Sequence, residues 1–152
     1  MAIPLDLNAV AAIRQLKSRY CRLLDLKQWA EWGQLFTEDA VMIVKDDVPP
    51  ELGDATTRGR AAIVEQVSRI MHGAISIHQV HEPDITLMSY TTAEGIWGMH
   101  DYVTWPEGVR PPVPFKAMEG FGYYYETYRR VGEHWCIESL DLRRLHAIKT
   151  PL

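Results

Sequence analysis

Apolar residues recur every three to four positions along the first third of the chain. Leu7, Val10, Ala11, Leu16, Tyr20, Leu23 and Leu24 share one side of a helix that Asp6 or Asn8 can cap and that ends near residues 25–27. A short second helix is predicted over 28–36, and the β-branched run at 40–44 predicts a strand. Residues 45–58 are charged and contain Pro and Gly, the composition of a loop. A third helix is expected over 59–71, with Ile63, Val67 and Ile70 on one face. From residue 74 the period shortens towards two. Strands are predicted at 74–88 (broken near Glu82-Pro83), 91–105, 115–130 and 134–147. Pro106, Pro111, Pro112 and Pro114 make 105–114 a stiff surface loop.

Helices followed by a run of long strands is an α+β order. The expected architecture is a cone: three N-terminal helices packed in a strongly curved antiparallel sheet, as one domain spanning 1–152. A curved sheet leaves a cavity between the two layers, and such a cavity suits a small apolar ligand.

Alternation along 95–103 places Trp97, Met99, Asp101 and Val103 on one face of a strand and Ile96, His100 and Tyr102 on the other. A carboxylate in that apolar company must find a partner or lose its charge. The expected partner is His78. The pair reads either as a tie between neighbouring strands or as a proton-transfer device, in which an acid orients an imidazole. Along 115–130, Met118, Gly120, Gly122 and Tyr124 share a face opposite Phe121, Tyr123 and Tyr125. Two glycines there leave room for the sheet to bend or for a ligand to approach. Tyr124 and Trp97 are the expected substrate contacts on the concave side. His81, His100 and Asp84 do not make a metal site: His100 opposes Asp101 across its strand, and His78 and His81 differ in parity. Cys21 reads as core.

Charge narrows the partners. The net charge is −4 and the basic residues are scattered, so no nucleic-acid footprint is expected. Cys21 and Cys136 form no disulfide framework, and reduced thiols suit the cytoplasm. No targeting leader and no membrane-spanning run is read at the start or within the chain. The expected partners are a small-molecule substrate and further copies of the chain, as a dimer or trimer. No cofactor is expected, because no Gly-rich phosphate loop or metal-ligand cluster occurs.

Five segments together carry a family resemblance: Arg19-Tyr20-Cys21-Arg22-Leu23-Leu24-Asp25, Leu35-Phe36-Thr37-Glu38-Asp39-Ala40, Arg58-Gly59-Arg60-Ala61-Ala62-Ile63, His78-Gln79-Val80-His81-Glu82-Pro83-Asp84-Ile85 and His134-Trp135-Cys136-Ile137. Over residues 8–146 the chain resembles the SnoaL-like branch of the nuclear-transport-factor-2-like superfamily, which includes scytalone dehydratase, bile-acid 7α-dehydratase, isomerases and cyclases. The resemblance implies four catalytic positions, Tyr20, Asp25, His78 and Asp101. His78 would be the acid–base group with Asp101 holding its ring, while Tyr20 and Asp25 would assist the departing or polarised oxygen. A last-strand arginine of the family corresponds to Arg143 or Arg144, and Arg144 is the expected substrate contact. Glu82 and His81 depart from the family, which often has Asn and a small residue there. The expected activity is that of a cofactor-independent lyase acting on a hydroxylated aromatic or polycyclic compound, eliminating water or a small aldehyde. An isomerase, a polyketide-type cyclase and a non-catalytic binding module are the alternatives.

Overall fold

The computed structural model describes residues 4–45 and 55–152. Helix α1 (Leu7–Asp25) begins where Asp6 accepts the backbone N–H groups of Asn8 and Ala9, so two of the unpaired donors at the helix start are satisfied. It ends through Leu26 and through Lys27, whose φ of 58° is left-handed and turns the chain away. The short α2 (Trp29–Gly33) and then β1 (Phe36–Val44) follow, with β1 starting four residues before the expected strand. The loop expected at 45–58 holds a short strand, β2 (Thr56–Arg58), and the part of that loop at 46–54 lies outside the described residues. Next come α3 (Arg60–Ile70), β3 (Ile75–Leu87), β4 (Thr92–Thr104), β5 (Phe115–Val131) and β6 (His134–Pro151). The sequence places α3 and β3–β5 within one or two residues; β6 runs on to Pro151, past the expected 147.

Among the described residues the strands form one six-stranded, unclosed sheet in the order β2-β1-β6-β5-β4-β3. Hairpin neighbours β3, β4, β5 and β6 pair antiparallel, as β1 and β2 do. The β1–β6 pair is parallel, which corrects the wholly antiparallel expectation. Everything from β2 to β5 lies between those two strands in the chain, so their direction is not fixed by a short turn. Register shifts at Val80/Pro83 in β3 and at Phe121/Gly122 and Thr127/Tyr128 in β5 add local twist and bend the sheet around the helices.

The concave face carries Trp97, Met99, Tyr124, Tyr128, Leu140 and Leu142, which pack on Ile13, Leu16, Tyr20 and Leu24 of α1. Fully burying each such side chain contributes roughly 1.5–3 kcal/mol. A smaller cluster of Val103, Trp105, Phe115 and Met118 packs with Met71, Ala74 and Val113. The proline-rich loop is therefore not simply a surface strap: Trp105 is buried, and its indole N–H donates to the His72 carbonyl at 3.0 Å. The convex face exposes Ile77, Tyr102, Phe121, Tyr123 and Ile148. No described helix is long and apolar enough to cross a membrane.

Candidate active site

Helical spacing sets Lys17, Tyr20 and Leu24 on the buried stripe of α1, and Asp25 is its last residue. On β3, Ser76 and His78 share the inward face, because side chains two apart on a strand point the same way. These two faces meet at Asp25. Its Oδ1 lies 2.7 Å from His78 Nδ1, its Oδ2 accepts the His78 backbone N–H at 2.8 Å, and Ser76 Oγ donates to Oδ1 at 3.0 Å. A carboxylate only accepts, so Nδ1 carries a proton, and in the neutral ring Nε2 is the nitrogen with the lone pair.

Asp101 is the Cα partner of His78 on β4, yet its side chain turns to β6. Arg144 Nη2 donates to Asp101 Oδ2 at 2.5 Å, and both side chains are nearly fully buried. The ring of His78 is thus held by Asp25 and not by Asp101, which corrects the expected pairing. The guanidinium needs a carboxylate more urgently than a neutral imidazole does, since an unpaired buried cation is costly. Gly120 makes this pair possible. A Cβ there would collide with both the Asp101 carboxylate and the Arg144 side chain. Asp101 Oδ1 has no hydrogen-bond partner among the described residues. Arg143 faces the other way, over the ring of Tyr125 and against Asp141.

A cavity of about 120 Å³ lies between the layers. Its polar end is made by Tyr20, His78, Asp101, Tyr124 and Arg144. The rest is mostly apolar, with Met42, Leu140 and Leu142 from the sheet, Val67 and Met71 from the α3 side, and Trp105 after β4, while Thr57 and Gln66 are the further polar residues on the wall. Val44 and Ala55, on its wall, flank the undescribed 46–54. Tyr20 and Tyr124 meet edge to face with centroids 5.9 Å apart. Burial, with the charge of Glu126 next for Tyr20, pushes both phenols well above the usual tyrosine value. Both remain hydrogen-bond donors at any ordinary pH.

Behind the two tyrosines, Lys17 Nζ pairs with Glu126 and lies 3.9 Å and 3.5 Å from the ring centroids of Tyr20 and Tyr124. Glu126 also accepts the Tyr128 hydroxyl, which accepts Trp97 Nε1 at 2.7 Å. Trp97 is therefore spent in this chain and faces a groove between α1 and β3, outside the cavity, contrary to its expected substrate contact. Cys21 is core, its thiol pushed up to about 11 by burial.

Of the residues singled out from the sequence, Tyr20, His78, Asp101, Tyr124 and Arg144 reach the cavity wall, and Asp25 stands behind His78. Lys17, Glu126, Ser76 and Lys27 were missed. An apolar helix stripe containing a lysine, and an apolar strand face containing a glutamate, were the available signals for the first two.

Residues 6–141 match the family described as SnoaL-like domain. The probable cyclase FGR4 of Gibberella zeae is 26% identical over 148 residues, covering 91% of this chain and 93% of that protein. A candidate scytalone dehydratase from Novosphingobium aromaticivorans superimposes with a TM-score of 0.78 at 20% identity, over 96% of this chain and 90% of that one. A hexachlorocyclohexane dehydrochlorinase (LinA, type 2) gives 0.76 at 17% identity, over 94% and 89%.

Proposed function

The chain belongs to the SnoaL-like domain family, and on that premise we propose that it is a lyase acting on a small hydroxylated ring compound through side-chain acid–base chemistry. The observation that carries this reading is the Asp25–His78 contact at the wall of a mostly apolar cavity. Relatives described as a cyclase, a dehydratase and a dehydrochlorinase support a small-molecule-converting enzyme.

In the proposed elimination, His78 Nε2 takes a proton from carbon and becomes imidazolium, which Asp25 stabilises. The electron pair released forms a carbon–carbon double bond as the neighbouring C–O bond breaks. Tyr20 and Tyr124 donate hydrogen bonds to the oxygen that gathers negative charge. The imidazolium returns its proton to the departing hydroxide, and water leaves. Asp101 Oδ1 is an acceptor for a substrate hydroxyl, and its ion pair with Arg144 keeps that acceptor fixed. A cavity of about 150 Å³ accommodates benzene, so the 120 Å³ here argues against a polycyclic substrate.

The test is a panel of hydroxylated cyclic ketones and phenols, with products followed by mass spectrometry and His78→Ala as the control. Loss of one water, abolished by His78→Ala while binding persists, supports the reading; water loss undiminished in that variant overturns it. FGR4 favours a second reading, ring closure, whose product is isobaric with its substrate unless dehydration follows.

A further inference from the structure

Asp25 is gripped from a direction that the proposed chemistry does not use. Lys27 has a left-handed backbone, φ 58°, which a non-glycine residue adopts at some cost. That conformation folds its side chain back over the end of α1, where Nζ reaches the carbonyls of Leu24 and Asp25 at 3.4 and 3.3 Å. The shortest contact is to β3: Nζ donates to Ser76 Oγ at 2.7 Å. Ser76, with its oxygen occupied as acceptor, must spend its own proton on Asp25 Oδ1 at 3.0 Å. The amine is half-buried, so holding it here costs desolvation, which lowers its proton affinity while Asp25 partly restores it.

We propose that Lys27 is a positioning residue for His78: through the Ser76 hydroxyl it holds the Asp25 carboxylate in the rotamer that grips both the ring and the backbone of His78. Without the ammonium, Ser76 Oγ is free to rotate, and Asp25 loses its third donor. A carboxylate with two donors on one neighbouring residue swings more readily towards solvent. Lys27 touches neither the cavity nor a reacting atom, so its effect on turnover is indirect and rests on the role proposed above for His78. The grip itself does not depend on that role.

The grip is read by NMR on the ¹⁵N-labelled protein without any ligand. Lys27→Gly suits the left-handed backbone and removes the amine; Lys27→Asn does the same with a side chain retained. Both are expected to shift or broaden the His78 Nδ1–H signal and to speed exchange of the His78 backbone amide about tenfold. Ser76→Ala should match them, the Lys27→Gly/Ser76→Ala double variant should be no worse than either, and Lys27→Arg should restore the wild-type signature. Wild-type amide exchange and ring signals in folded Lys27→Gly or Lys27→Asn overturn the inference. With a substrate in hand, kcat should fall with little change in KM. A loosened grip with unchanged turnover upholds this inference and overturns His78 as the base.

Discussion

Nδ1 of His78 stands 2.7 Å from Oδ1 of Asp25, while Asp101, its partner across the strand pair, is turned away to Arg144. Two acids therefore serve two bases in parallel, one from the end of α1 and one from β4. In the proposed reaction this division separates proton transfer from fixed recognition. An imidazole held by one carboxylate can cycle through its charged form, and a guanidinium held by another cannot lose its proton at all.

Asp25→Asn is expected to lower kcat by roughly 10²–10⁴, because the amide can donate to Nδ1 and stabilise the wrong tautomer. Asp101→Asn should act differently, weakening the hold on Arg144 and on a substrate hydroxyl, so KM rises as much as kcat falls. Steady-state kinetics of the two variants on one substrate decides. Equal effects on kcat alone would show that the acids share one role.

The Gly120 site offers a check on the second pair. Gly120→Ala places a methyl where Asp101 and Arg144 meet and should destabilise the protein by about 1–3 kcal/mol. Arg144→Ala alone leaves the buried Asp101 carboxylate unpaired and should cost about 3–5 kcal/mol. It also removes one of the clashing side chains, so the double variant should lose less than the sum of the two single losses. Urea denaturation of the three variants measures this coupling.

Most of the fold was legible because the central strands, β4 above all, alternate buried and outward positions. The inward set of β4 is Trp97, Met99, Asp101 and Val103, all nearly fully buried. The parallel β1–β6 contact was not legible, because pairing between strands about a hundred residues apart leaves no local trace. The partner of His78 was misassigned for a related reason. Strand parity says which side chains face inward, and it is silent on where each rotamer points once inside. Asp25 lies on the helix layer above the sheet, so no strand pattern could bring it to His78. Trp97 faces inward as read, yet its indole N–H is claimed by Tyr128 and not by a ligand.

Stability should fall in alkali for a stated reason. Burial raises the phenols of Tyr20, Tyr124 and Tyr128 above their unfolded value of about 10. Below that pH both states keep these protons and no stability depends on them. Above it the unfolded chain releases protons that the folded chain retains, so the free energy of unfolding drops as pH rises towards the folded values. Cys21, raised from 9.0 to about 11, starts the same loss roughly one pH unit earlier. Urea midpoints between pH 8 and pH 11 should decline with a steepening slope, and Tyr124→Phe should make that slope shallower. A midpoint that stays flat to pH 11 would contradict the burial of these hydroxyls.

Lys17 and Glu126 are an ion pair with no exposure to solvent at all, wedged behind the two cavity tyrosines. Removing one partner leaves a buried charge unpaired, so Lys17→Met is expected to cost about 3–5 kcal/mol. The double variant Lys17→Met/Glu126→Gln removes both charges and keeps an acceptor for the Tyr128 hydroxyl, and should recover most of the loss. If the ammonium only supports the fold, restored stability brings restored turnover. If its place over the rings of Tyr20 and Tyr124 strengthens their hydroxyls as donors, the stable double variant still turns over more slowly. Denaturation and kcat measured on the same preparation separate the two effects, since one follows the pairing and the other follows the charge.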